Sequence, residues 1–302
     1  MGEKHNYIKY NNFAIIGHFI SAVAMIGLTV GKDPLIIPYT ESYLEWKPVS
    51  NNSYCPLGSR SFDTSNGNFC INTVTKPVSC NNDNECYGIN LGWLIISFHL
   101  LSFGFQLLAG LTNCCQGGLL GYRYSDMIEK GKNPLRFVEY SLSASIMLIA
   151  IALLNGVTDI NLITSIAVLT SACQLCGLAV EYVKSTSIKW LLHLTGWLQF
   201  FWAYGIIGHA FIKSIDVSGD NSGTKPPDFV YVIVILLFLL YASFGFVQLT
   251  ELLYTIPCIK KLCCKNNDTI NPYTKEKCYV LLSLIAKLLL GWMIFSNVLL
   301  LS

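Results

Sequence analysis

Charge is what this sequence has least of. Only 13% of its 302 residues are Asp, Glu, Lys or Arg, about half of the roughly 25% usual in soluble domains. So few charges cannot clothe a soluble enzyme of this length. The formal net charge is +2, with no basic block, and that excludes a nucleic-acid binder. Internal repeats, the mark of many transporters, are not evident. No small-residue cleavage site accompanies the first apolar run, so a signal peptide is not expected. Asn6 stands where a myristoylation signal needs Ser or Thr.

Apolar side chains are abundant instead, at 53% of residues and a mean hydropathy of +0.49. They gather into seven runs, 12–30, 89–113, 134–155, 161–183, 188–212, 229–254 and 277–301. Each is long enough to cross a hydrocarbon layer of about 30 Å at about 1.5 Å per residue. The expected fold class is an all-α membrane protein, a single seven-helix domain over 1–302 in contact with the lipid bilayer. Residues 31–88 form a loop within it.

The basic residues orient this bundle. Thirteen Lys and Arg fall on the side of the N-terminus, six on the other side, and Lys287 lies inside the seventh run. The positive-inside rule then places the N-terminus in the cytoplasm and the C-terminus outside, with the plasma membrane as the expected location. Ordinary G-protein-coupled receptors and ordinary microbial rhodopsins have the reverse orientation. The long first loop becomes extracellular and carries Cys55, Cys70, Cys80 and Cys86. Four cysteines in an oxidising compartment predict two disulfides, with three connectivities open.

Ionisable residues inside spans cost about 2.5–3.5 kcal/mol each near a helix centre and are functional candidates by default. Lys287 lies roughly 15 Å deep, too deep to reach the interface. It is either a structural partner for a carboxylate or an amine poised to form a Schiff base with an aldehyde, which desolvation favours. Glu139 is the one acid well inside any span, so the two are predicted to pair. Ser283, four residues before Lys287, shares its face. Glu181 and Glu251 lie within about a turn of the cytoplasmic ends and are expected at a water-accessible mouth. His18 and His99 fall in the cytoplasmic half or the centre and are expected in a polar cavity with Glu139, able to hold a proton. His193 and His209 are expected to be structural.

Seven spans, the inverted orientation, the run Arg136-Phe-Val-Glu-Tyr-Ser-Leu-Ser-Ala-Ser and the pattern Ser283-x-x-x-Lys287 followed by Trp292 resemble the heliorhodopsins. The resemblance covers the whole membrane part; the cysteine-bearing loop is longer than the family leads one to expect. It implies all-trans-retinal on Lys287 and Glu139 as counterion, with Ser283 touching both. His18 and His99 would line the cytoplasmic cavity, and Arg136, Glu181 and Glu276 would stand at the cytoplasmic mouth. Tyr140, Ser143 and Trp292 would contact the chromophore; Trp197, Phe238 and Tyr241 join them on aromatic placement. The resemblance also implies a homodimer.

An enzyme is not expected, and neither is a pump. The position about three turns beyond Glu139, where outward proton pumps carry a second carboxylate, is Ala150. Three readings stay open: a light sensor that signals to a cytoplasmic partner of unknown identity, a light-gated passive proton conductance, and a retinal-free transporter with a structural Lys–Glu pair.

Overall fold

A computed structural model describes residues 2–30, 32–48, 60–64, 67–78, 88–114, 123–219, 226–256 and 271–299. Seven long helices dominate them: α1 (Gly2–Thr29), α2 (Leu91–Cys114), α4 (Pro134–Leu154), α5 (Ile160–Tyr182), α6 (Thr186–Gly219), α7 (Asp228–Leu253) and α8 (Pro272–Ile294), with a short α3 (Tyr124–Glu129) before α4. Each packs on the next long helix, and α8 closes the ring against α1.

The helix ends follow from local chemistry. Asn133, Asp159 and Asn271 cap α4, α5 and α8 by accepting from backbone amides one turn on, and Pro134 and Pro272 take first-turn positions. Gly131 and Gly156, at φ +70° and +78°, end α3 and α4. In each case the following amide reaches back five residues, Lys132 N to Met127 O and Val157 N to Ala152 O. This left-handed cap is one that a Cβ would strain.

Six of the long helices are long and apolar enough to cross a membrane. The seventh, α6, has the length at 34 residues, but Trp190, His193, Trp197, Gln199, Trp202, Tyr204 and His209 dilute its hydropathy. Two boundaries move from expectation. The polar segment before residue 12 is helical from Gly2 onward, and α8 starts at Pro272, a turn before the apolar run at 277. In both places the helix carries polar residues past its apolar stretch.

The described residues of the loop 31–88 form strands. β1 (Ile36–Pro38) pairs with β5 (Gly88–Asn90), and β4 (Gly67–Pro77) runs between β2 (Thr40–Pro48) and β3 (Arg60–Thr64), all antiparallel. The Thr40 amide donates to Thr158 O at 2.8 Å, which ties β2 to the α4–α5 connection. Cys70 is buried on β4 and is not a free thiol; Cys55, Cys80 and Cys86 lie outside the described residues.

α4 and α8 are the most enclosed of the candidate spans, with 72% and 56% of their apolar windows buried against 22–33% for the other four. A buried charge on either therefore faces protein rather than lipid. Toward the strand-bearing end, called here the cap end, the core is apolar: Leu91, Ile95, Leu148, Ile151, Ile207 and Leu290 fill it.

Candidate functional site

Lys287 on α8 and Glu139 on α4 form an ion pair, with 2% and 3% of their surfaces exposed. Side chains on a helix lean toward its N-terminus, so the amine reaches down to Ser283 Oγ at 3.0 Å as well as to Glu139. On Glu139 a single oxygen, Oε1, takes the amine together with the hydroxyls of Ser102 (2.6 Å) and Ser143 (2.9 Å). The expected pair is thus present, with Ser283 on the amine.

A cavity opens onto Lys287 and is lined by Tyr140, Ser143, Met147, Tyr241, Phe244 and Ser283, among others. Tyr140, Gln174, Tyr241 and Phe244 also line a second space that runs to Phe200, Trp197 and Gly245. Together they make an elongated, largely aromatic slot with one amine at its end. An apolar polyene attached at Lys287 fits this shape and chemistry. Tyr140 is fixed by donating to Tyr279 O at 2.9 Å, and Tyr241 by donating to Ala144 O at 3.3 Å.

A second charged group lies toward the Arg136 end. Arg136 pairs with Glu276 and, at 2.6 Å, with Glu181. Lys275 bridges Glu181 (3.1 Å) and Glu251 (2.8 Å). Asn133 completes it, its amide nitrogen donating to Glu181 at 2.7 Å and its side chain to Glu276 at 2.6 Å. Tyr124 also donates to Glu276, at 3.1 Å; burial, then the Glu276 charge, pushes its hydroxyl well above the ordinary tyrosine range, so it stays a donor. The expected pairing of Arg136 with Glu276 is present. Glu181 departs from expectation, since its side chain is 2% exposed and capped by two cations; Glu251, at 34%, is the one that reaches the surface.

Between the two groups lies a small gap lined by Asn11, Gln106, Arg136, Glu139 and Glu276. Gln106 Oε1 and Arg136 Nε are buried there without partners among the described residues.

Four expected site residues lie elsewhere. His18 and His99 are fully buried and bonded to each other, Nδ1 to Nδ1 at 3.1 Å, but not on the Arg136 side of the ion pair. α2 runs antiparallel to α4, so His99, one turn before Ser102, lies one turn toward the cap end. There its Nε2 stands where a Cβ on Gly291 would come within 2.6 Å. Trp292 turns away from the slot and donates to Ser21 on α1 at 3.2 Å. Phe238 does not line the slot; it stacks behind Phe200 at 5.5 Å.

The reading of the sequence missed Ser102, Lys275, Asn133, Gln174 and Phe244. Asn133-Pro134 carries a visible helix-start signature, and Ser102 lies at i+3 from His99, hence on its face. Nothing local marks the other three.

A family model described as heliorhodopsin matches residues 64–299, most of the chain. No curated protein matches it.

Proposed function

Because the chain belongs to the heliorhodopsin family, we propose that it is a light sensor in which Lys287 carries all-trans-retinal and Glu139 balances the charge at Lys287 Nζ. Membership implies a retinal-binding membrane rhodopsin with seven spans. The observation that carries the finer assignment is a buried amine, paired to a buried carboxylate, at the end of an aromatic slot. When bound, retinal supplies visible absorption and a double bond that light can turn. Glu139 Oε1 holds the proton-bearing nitrogen in place, while Ser102 and Ser143 share the carboxylate charge. Tyr140, Tyr241 and Trp197 exclude water and leave a restricted volume for movement. In this reading the N-terminus is cytoplasmic, two copies form a dimer, the loop 31–88 is disulfide-stapled outside, and the protein is not an enzyme.

The test is an absorption spectrum of protein expressed with all-trans-retinal, before and after hydroxylamine under light, beside Lys287→Ala. A visible band that bleaches and is absent from the variant is expected. No band in either protein overturns the proposal.

A second reading, a light-gated passive proton conductance, is favoured by the polar gap between Glu139 and the Arg136 cluster, where two unpartnered groups suit bound water. The apolar cap end opposes it. Whole-cell photocurrents separate the two.

A further inference from the structure

His193 belongs to no part of the site described so far, yet it borders the slot. It is 5% exposed, and both of its ring nitrogens are engaged. The Trp197 indole donates to Nε2 at 2.9 Å. Nδ1 lies 3.2 Å from Gln248 Oε1, and Gln248 Nε2 donates to Gly177 O at 3.0 Å. The donor inventory fixes every direction in this chain. An indole N–H can only donate, so Nε2 accepts; the imidazole is then neutral with its proton on Nδ1, which donates to the Gln248 carbonyl. The amide nitrogen is left for the Gly177 carbonyl. One unbranched run of hydrogen bonds thus joins α6 to α7 and α7 to α5.

Both ends of the run rest on glycine. A Cβ on Gly245 would stand 2.6 Å from the Trp197 ring, so the indole lies directly on the α7 backbone. A Cβ on Gly177 would stand 2.5 Å from Phe137, whose ring lies 4.6 Å from the Arg136 guanidinium carbon. The wall of the slot farthest from Lys287 is therefore held by a single polar bond, in a seam with no slack on either side.

We propose that His193 is a positioning residue: it fixes the Trp197 indole as the far wall of the slot and ties that wall to the α5 backbone, so that a ligand pressing on the indole loads the α5–α6–α7 seam. The inference rests on the retinal reading for the identity of that ligand, but the bond itself belongs to the ligand-free chain.

The experiment compares full-length wild type, His193→Ala, His193→Gln, Trp197→Phe and the Ala/Phe double variant. The first readout is indole hydrogen bonding by ultraviolet resonance Raman on protein without retinal. Trp197→Phe identifies the signal among the six tryptophans. His193→Ala is expected to lose it, and His193→Gln, which keeps an acceptor and a donor, to retain it. The second readout is the visible maximum with all-trans-retinal. His193→Ala is expected to shift it in the wild-type background and to add nothing in the Trp197→Phe background. An unchanged indole signal in His193→Ala overturns the proposal. So do equal shifts in both backgrounds, which would mean that His193 acts on the ligand directly. A wild type that takes up no retinal overturns the light-sensing reading instead, and the indole measurement still decides the role of His193.

Discussion

Lys287 and Ser102, on helices at different points of the ring, meet at one oxygen of Glu139. The carboxylate is therefore shared between a cation and a hydroxyl donor, and with Ser143 Oγ it has three donors on that atom. A buried charge so surrounded is sensitive to the loss of any partner, and the cost is asymmetric.

Removing Glu139 alone leaves the Lys287 ammonium buried and unpaired, a loss of about 3–5 kcal/mol. Glu139→Ala is expected to lower the thermal midpoint of the retinal-free protein in detergent. The double change Glu139→Leu with Lys287→Met, which removes both charges, is expected to recover most of the loss. A double variant as unstable as the single one would show that packing rather than charge sets the cost.

The histidine pair has no room beside α8. Gly291→Ala would place a methyl 2.6 Å from His99 Nε2 and 3.2 Å from Met25 Cε, and overpacking of this kind costs about 1–3 kcal/mol. A lowered midpoint is expected, together with altered imidazole nitrogen shifts for His18 and His99. Substituting Gly27, which has open space around it, serves as the control.

In the Arg136 cluster the two cations are not equivalent. Arg136→Met leaves Glu276 with only the neutral donors Tyr124 and Asn133, and is expected to cost about 3–5 kcal/mol. Lys275→Met leaves Glu181 still paired to Arg136, and frees Glu251, which water reaches. Its cost is expected to be clearly smaller. Thermal midpoints of the two variants decide the order, and Glu276→Gln added to Arg136→Met is expected to restore part of the loss.

Asp159 gives the pH dependence outside the spans. Burial, the largest single influence, pushes its carboxyl up, but the bonds from Leu162, Ser42 and Asn161 together outweigh it and hold it below the ordinary aspartate range. A depressed folded value means a contribution fully present above the unfolded value and lost as pH falls through the folded one. Asp159→Ala, which also removes the α5 cap, is expected to cost about 1 kcal/mol at neutral pH. The gap from wild type should close at acid pH in a melting series.

The parts of this molecule that could be read from sequence are those where one residue type is out of place. Lys287 and Glu139 stand out because charge is rare in apolar runs, and Ser283 follows from helical spacing. Ser102 did not, because a serine in a membrane helix is unremarkable until its neighbour across the ring is known. Glu181 reads as a mouth residue because it lies near a helix end; only packing shows that α4, α5 and α8 enclose it together with Lys275. The facing of Trp292 depends on how far α8 is rotated in the ring, which its nearly uniform apolar composition leaves undetermined. In the loop, the polar Asn-, Ser- and Pro-rich composition masks the alternating Thr40–Pro48 stretch that forms β2.

The short ladder of β1 with β5, Ile36 opposite Asn90 to Pro38 opposite Gly88, has a consequence for how the chain tolerates change. It joins the connector after α1 to the residues that lead directly into α2, so three residue pairs at the base of the loop hold the adjoining ends of those packed helices together. Beyond this cuff β2 is held at a second place, where Thr40 bonds Thr158 and Ser42 bonds Asp159 at the start of α5. Lengthening the chain beyond β2 adds only the slowly growing entropy of a longer closed loop. Insertions beyond Pro48 can therefore be made while the spacing of α1 and α2 stays as it is, whereas changes at Thr40 or Ser42 also loosen the α4–α5 connection.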